Sequence, residues 1–231
     1  MVNKMQEHVE GLSAAGRLFH QRGWSVGTSS NYSVVLDNDP LRLLITVSGK
    51  DKGQLGPQDF VEVDETGTPV PPAGSTEPET RKSSAETLLH VEAARQGNVG
   101  AILHTHSVWS TLLSDWFFEL GGIQIEGYEM LKGLSGVKTH EHSEWVPIFE
   151  NTQDIPALAE QVKAERERLG ETPIHGYLIR RHGLYTWGEN LAEARRHIEI
   201  FEFLFECLGR RLGMPAPPAP SASQATATVS G

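Results

Sequence analysis

The stretch that most limits what this chain can become is Ala101-Ile102-Leu103-His104-Thr105-His106-Ser107, an apolar run closing on two histidines one residue apart. In a β-strand, side chains at i and i+2 leave on the same face, so both imidazoles aim one way and Thr105 the other. A strand thereby offers two metal ligands. A third candidate stands where another apolar run, Tyr177-Leu178-Ile179, breaks into Arg180-Arg181-His182-Gly183, a strand expected over 177–182. Three neutral imidazoles leave one position open on a tetrahedral ion, the arrangement of a catalytic zinc rather than a structural one. The competing reading, a hydrogen-bonded core histidine at a strand end, suits a lone His better than two in phase.

A length of 231 residues suffices for one well-packed domain, expected over 1–213. Thirty acidic against twenty basic residues, net −10, argue against nucleic-acid binding through a general positive field, so any anionic ligand has to be held by local groups. The single cysteine, Cys207, and a polar N-terminus without an apolar signal core read as cytoplasmic, and no run is long and apolar enough to imply a membrane span.

Periodicity predicts an amphipathic helix over 4–22, strands over 32–37, 41–47 and 60–63, and a surface connection over 67–74. From Ser83 the pattern turns helical, with Ser83-Ser84-Ala85-Glu86 fitting a capping box. Beyond the histidine strand come a helix over 108–120, strands over 123–126 and 146–149, and an outer helix over 155–169. The longest helix, 190–212, carries Leu191, Ala194, Ile198, Phe201, Phe205, Leu208 and Leu212 in one 3-4 stripe. Its further Ile200, Phe203 and Leu204 suggest burial against a second subunit or a thicker core. From Met214 a Pro/Ala/Ser/Thr tail, 214–231, is expected to be disordered.

A second His-x-His, His140-Glu141-His142, lies in a polar stretch and reads as a loop without the rigid base that ligands need. His8, His20, His90, His175 and His197 receive no role, His90 alone being a candidate supporting residue. Hydroxyls, backbone N–H groups and a local cation able to hold a phosphate occur in three loops: Gly27-Thr28-Ser29-Ser30-Asn31, Ser48-Gly49-Lys50 and Ser83-Ser84. For a base next to the metal the chain offers Glu86 and Glu129. Glu129 lies between apolar Tyr128 and Met130, where partial burial would raise its pKa toward working pH.

These elements, together with Glu129-Met130-Leu131-Lys132-Gly133, Pro147-Ile148-Phe149-Glu150-Asn151-Thr152 and Arg181-His182-Gly183, resemble in order the bacterial methylthioribulose-1-phosphate dehydratases of the class II aldolase and adducin-head superfamily. The resemblance covers about residues 5–212. It implies an α/β fold, a three-layer α/β/α sandwich with a mainly antiparallel central sheet, in a homotetramer with sites near subunit contacts. It further implies one Zn2+ per subunit on His104, His106 and His182, with Glu129 as acid/base. Phosphate contacts would come from Thr28, Asn31, Ser48, Gly49, Ser84 and Lys50, and Glu86 falls where the aldolase branch keeps a carboxylate. The implied reaction is that of a hydro-lyase in methionine salvage, acting on a sugar-phosphate substrate. A sugar-phosphate aldolase or 4-epimerase of the same superfamily is the alternative, and a non-catalytic adducin-head-like scaffold is another.

Overall fold

The computed structural model describes residues 4–71, 77–170 and 172–215, so the tail over 216–231 and part of the 67–74 connection lie outside the described residues. The first helix, α1 (Lys4–Gln21), buries Leu12, Ala15 and Phe19 on one face. It leads to the antiparallel strands β1 (Asn31–Asn38), β2 (Leu41–Thr46), β3 (Phe60–Val63) and the short β4 (Pro69–Val70). Helix α2 (Thr87–Ala94) then precedes the histidine strand β5 (Ala101–Thr105) and helix α3 (Val108–Trp116). The chain continues through β6 (Gly122–Glu126), β7 (Ser143–Phe149), α4 (Ile155–Leu169), β8 (Gly176–Ile179), β9 (Gly183–Gly188) and α5 (Leu191–Leu212).

Among the described residues the nine strands form one sheet in the order β4-β3-β2-β1-β5-β9-β8-β7-β6, antiparallel except for β7 beside β8. Alternation along β5 sorts its side chains between two cores. Ala101 and Leu103 join Leu12, Phe19, Leu113, Ile198, Phe201 and Phe205 beneath α1, α3 and α5. Ile102 joins Leu89, Val91, Leu158 and Val162 beneath α2 and α4. The result is a three-layer α/β/α sandwich around a mainly antiparallel sheet. Of the extra apolar residues on α5, Ile200 and Leu204 enter the core and Phe203 stays exposed, so the added hydrophobicity mostly thickens the core.

Several boundaries differ from the sequence expectation. The helix expected over 108–120 ends at Trp116 and continues as a 3-10 turn over Phe118–Leu120, closed by Gly121 at positive φ. β7 starts at Ser143 rather than 146, because Ser143 and Glu144 pair with Glu126 and Ile125 despite their polarity. β8 stops at Ile179, which puts His182 in the turn before β9 rather than on a strand.

Candidate active site

The direction of each strand decides what can meet. β5 and β8 are both antiparallel to β9, and β7 is parallel to β8, so β5, β7 and β8 all end at the same edge of the sheet. The residues that follow them, His106, Asn151-Thr152-Gln153 and His182, line one cleft of about 470 Å³. Thr28, Asn31, Ser48, Gly49, Lys52, Ser84 and Glu86 line it too.

Here the two-residue repeat works as expected: His104 on β5 and His106 just past its end have their Nε2 atoms 2.7 Å apart, and His182 Nε2 lies 3.3 Å from His104 Nε2. Two backbone features aim His182. Arg181 adopts φ 51°, its amide held by Ser114 Oγ, and Gly183 passes so close to Thr105 that a Cβ would sit 2.0 Å from that carbonyl oxygen. Only glycine allows that approach.

His104 Nδ1 faces the Leu184 carbonyl at 2.9 Å; a carbonyl only accepts, so Nδ1 carries the proton and the neutral ring directs its Nε2 lone pair at the other two imidazoles. Burial, reinforced by the neighbouring imidazoles, holds His104 well below the ordinary histidine value and brings His106 down to about 3. Burial likewise lowers His182, against the opposing pull of Glu86. Three neutral rings converging by their lone pairs fit a metal ion, and the hydrogen bond behind His104 is the outer support such ligands carry.

The carboxylate brought to this triad is Glu86, whose oxygens lie 3.3 Å from His182 Nε2 and 3.6 Å from His104 Nε2. The capping-box expectation fails here: Glu86 makes no side-chain cap to α2, and Ser83 is instead engaged in a β-bridge with Val47. Glu86 accepts from Asn31 Nδ2 at 2.8 Å and from Tyr185 OH at 2.9 Å. Burial and the Glu86 charge push Tyr185 well above its ordinary value, so it remains a donor. Asn31 gives its second N–H to Ser84 Oγ and accepts from His90 Nε2, while Ser33 meets His90 Nδ1. Its amide is therefore fully used in positioning Glu86 and Ser84, rather than free for a phosphate.

Two other expectations need correction. Lys50 does not line the cleft; its ammonium pairs with Asp59 at 3.0 Å. The cation at the cleft is Lys52, buried, donating to the Lys50 carbonyl at 2.7 Å and lowered by burial to about 8. Asp51 caps the 3-10 turn Lys52–Gln54, which places Lys52 at the cleft; the Asp at that cap was the available signal in the sequence.

Glu129 is neither buried nor raised. It is exposed, bonded to Lys132 at 2.6 Å, and that ammonium holds it below the usual carboxylate range. β6 runs opposite to β7, so Glu129, just beyond its end, lies at the sheet edge remote from the triad of its own chain. Sequence reasoning also passed over Tyr185, whose role depends on β9 lying beside β5.

The chain belongs to the family described as class II aldolase and adducin N-terminal domain, whose model matches residues 10–208. Within it, the chain is 49% identical over 207 residues to a methylthioribulose-1-phosphate dehydratase of Marinobacter nauticus, covering 89% of this chain and 94% of that protein. It is 46% identical over 208 residues to the enzyme of that name from Pseudomonas aeruginosa, covering 90% and 96%. The fold matches that of YgbL from Escherichia coli, a putative aldolase/epimerase/decarboxylase, with TM-score 0.71 at 24% identity over 96% of this chain and 97% of that one. It also matches L-fuculose-1-phosphate aldolase from Thermus thermophilus, TM-score 0.68 at 24% identity, covering 91% and 100%.

Proposed function

We propose that this chain is a hydro-lyase that dehydrates 5-methylthioribulose 1-phosphate to 2,3-diketo-5-methylthiopentyl 1-phosphate in methionine salvage. The observation that carries the reading is the combination of a converging neutral His104/His106/His182 triad with 46–49% identity to dehydratases along about nine-tenths of the chain. The solved structures named for aldolase or epimerase activity are 24% identical to this chain, and they speak to fold alone.

The three imidazoles would hold one Zn2+, which when bound supplies Lewis acidity at a substrate carbonyl. The other groups of the cleft are suited to binding. Thr28, Ser48, Gly49 and Ser84 line the cleft with Lys52, which supplies the local cation, and together they form the phosphate subsite of this reading. Glu86, fixed by Asn31 and Tyr185, sets a negative charge beside the triad. Both donors engage its Oε2.

In this reading Glu129 remains the acid/base group and serves the triad of a second copy, moving the C3 proton and assisting departure of the C4 hydroxyl. Two features support a shared site in a homo-oligomer, assigned here as a tetramer. Glu129 is exposed, and the helix that starts one residue after the Ser107 cap presents Val108, Leu112, Trp116 and then Leu120 to solvent, four residues apart. Such a stripe demands cover.

The test mixes two inactive proteins. His104→Ala lacks a metal ligand and Glu129→Gln lacks the base, each expected to lose about 10²-fold or more in turnover. Co-refolded mixtures should regain activity, because some sites then pair an intact triad with an intact Glu129. Full activity of Glu129→Gln alone would transfer the acid/base role to Glu86.

A further inference from the structure

The His140-Glu141-His142 stretch plays no part in the cleft, yet the structure does not leave it as a free loop. His142 enters β7 directly, and two residues on stands Glu144, a fully buried carboxylate. His142 Nε2 lies 2.7 Å from Glu144 Oε2, and His175 Nδ1 lies 3.0 Å from both carboxylate oxygens. His175 immediately precedes β8. As β7 and β8 are parallel, their first residues meet at the sheet edge opposite the His104 triad.

We propose that His142, Glu144 and His175 form a second metal site, for a divalent first-row transition ion. The three donor atoms lie within 4.8 Å of one another, and a tetrahedral ion with bonds of about 2.0–2.2 Å needs its ligands about 3.3–3.5 Å apart, within reach of small side-chain rotations. Two imidazoles and one carboxylate are a recurrent zinc set with a fourth position free. The supporting contacts are those of ligands rather than of casual neighbours. His175 Nε2 donates to the Ser135 carbonyl at 2.8 Å, which turns Nδ1 toward the carboxylate, and the His175 amide donates to Glu144 Oε1 at 3.0 Å, which fixes that group. A buried carboxylate can be neutralised there by imidazole N–H protons or by a cation, and a cation would take one donor atom from each of the three groups. His142, partly exposed, is the side of entry. An ion at this place would staple the 138–142 segment, whose His140 lies 3.7 Å from Glu129, to the sheet.

Cobalt(II), followed by its visible absorption and counted per chain, separates the two sites without any activity measurement. The unaltered protein should take up two equivalents, and the folded double variant His106→Ala/His182→Ala should take up one. Adding His142→Ala, a change at a partly exposed side chain, should remove the last equivalent. The assignment is overturned if the double variant, folded by circular dichroism, takes up no cobalt, or keeps its equivalent after His142→Ala. A single equivalent in the unaltered protein that is insensitive to His142→Ala overturns it as well. Were the His104 triad not a metal site, the unaltered protein would hold one equivalent that His142→Ala abolishes, and the second site would stand.

Discussion

Thr105, the last residue of β5, separates His104 from His106 and points the opposite way, into the core beneath α5, where its hydroxyl donates to Glu202 Oε1 at 3.1 Å. Glu202 is buried, and burial pushes its carboxyl from 4.5 up to about 7 against the opposing pull of Ser107 and Thr105. A carboxyl whose folded value exceeds its unfolded one binds protons more tightly in the folded state. It therefore costs nothing at low pH, and stability falls as pH rises from about 4.5 to about 7, then levels off. At about 1.36 kcal/mol for each pH unit, the full loss is about 3 kcal/mol, of which about 2.5 kcal/mol accrues between about pH 5 and pH 8. Glu202→Gln keeps the acceptor for Thr105 and removes the titration. Urea unfolding should give a variant more stable by about 1 kcal/mol near pH 5 and by about 3 kcal/mol near pH 8. Parallel stability profiles of variant and parent across that range would refute the reasoning, since the same groups other than Glu202 titrate in both.

Lys52→Met should raise KM for the phosphate substrate by about 10- to 100-fold with a smaller effect on kcat, the loss of one charge-assisted contact of about 1.5–3 kcal/mol; an unchanged KM would exclude Lys52 from the phosphate subsite. Trp116→Asp, placed at an exposed position of α3, should lower the mass measured by sedimentation while leaving the monomer's fold intact; an unchanged mass would show that this stripe is not where copies meet.

What the sequence made legible is what local periodicity controls. The His104/His106 pair follows from the two-residue repeat of a strand, and α1, α4 and α5 begin and end within a residue or so of their expected limits. The Ser83–Glu86 stretch misled because a capping signature and a site carboxylate use the same residue types, and the deciding partners, Asn31 and Tyr185, are 55 and 99 residues away. Lys50 and Lys52 were separable only by the turn that Asp51 caps. Glu129 appeared burial-prone from its apolar neighbours, yet Leu131 is the residue of that 3-10 turn that enters the core while Glu129 faces water. His175 carried no signal at all, since its partner Glu144 is 31 residues distant and its own neighbours are unremarkable.

One topological feature accounts for the distribution of chemistry over both ends of the sheet. In an otherwise antiparallel array, β7 and β8 run side by side in the same direction, which a hairpin cannot achieve; the connection has to cross back over the sheet, and α4 makes that crossing. Antiparallel β7 and β8 would leave the loop after one strand at the edge where the other begins. The parallel pair instead puts residues 150–153 and 180–182 together beside His104 and His106, and puts Glu144 and His175 together at the far edge. The same geometry strands Glu129 with the second group, because β6 returns against β7. A carboxylate held there reaches a triad only by way of another copy, so the strand order that assembles the cleft also makes a shared site the natural consequence of any role for Glu129 in it.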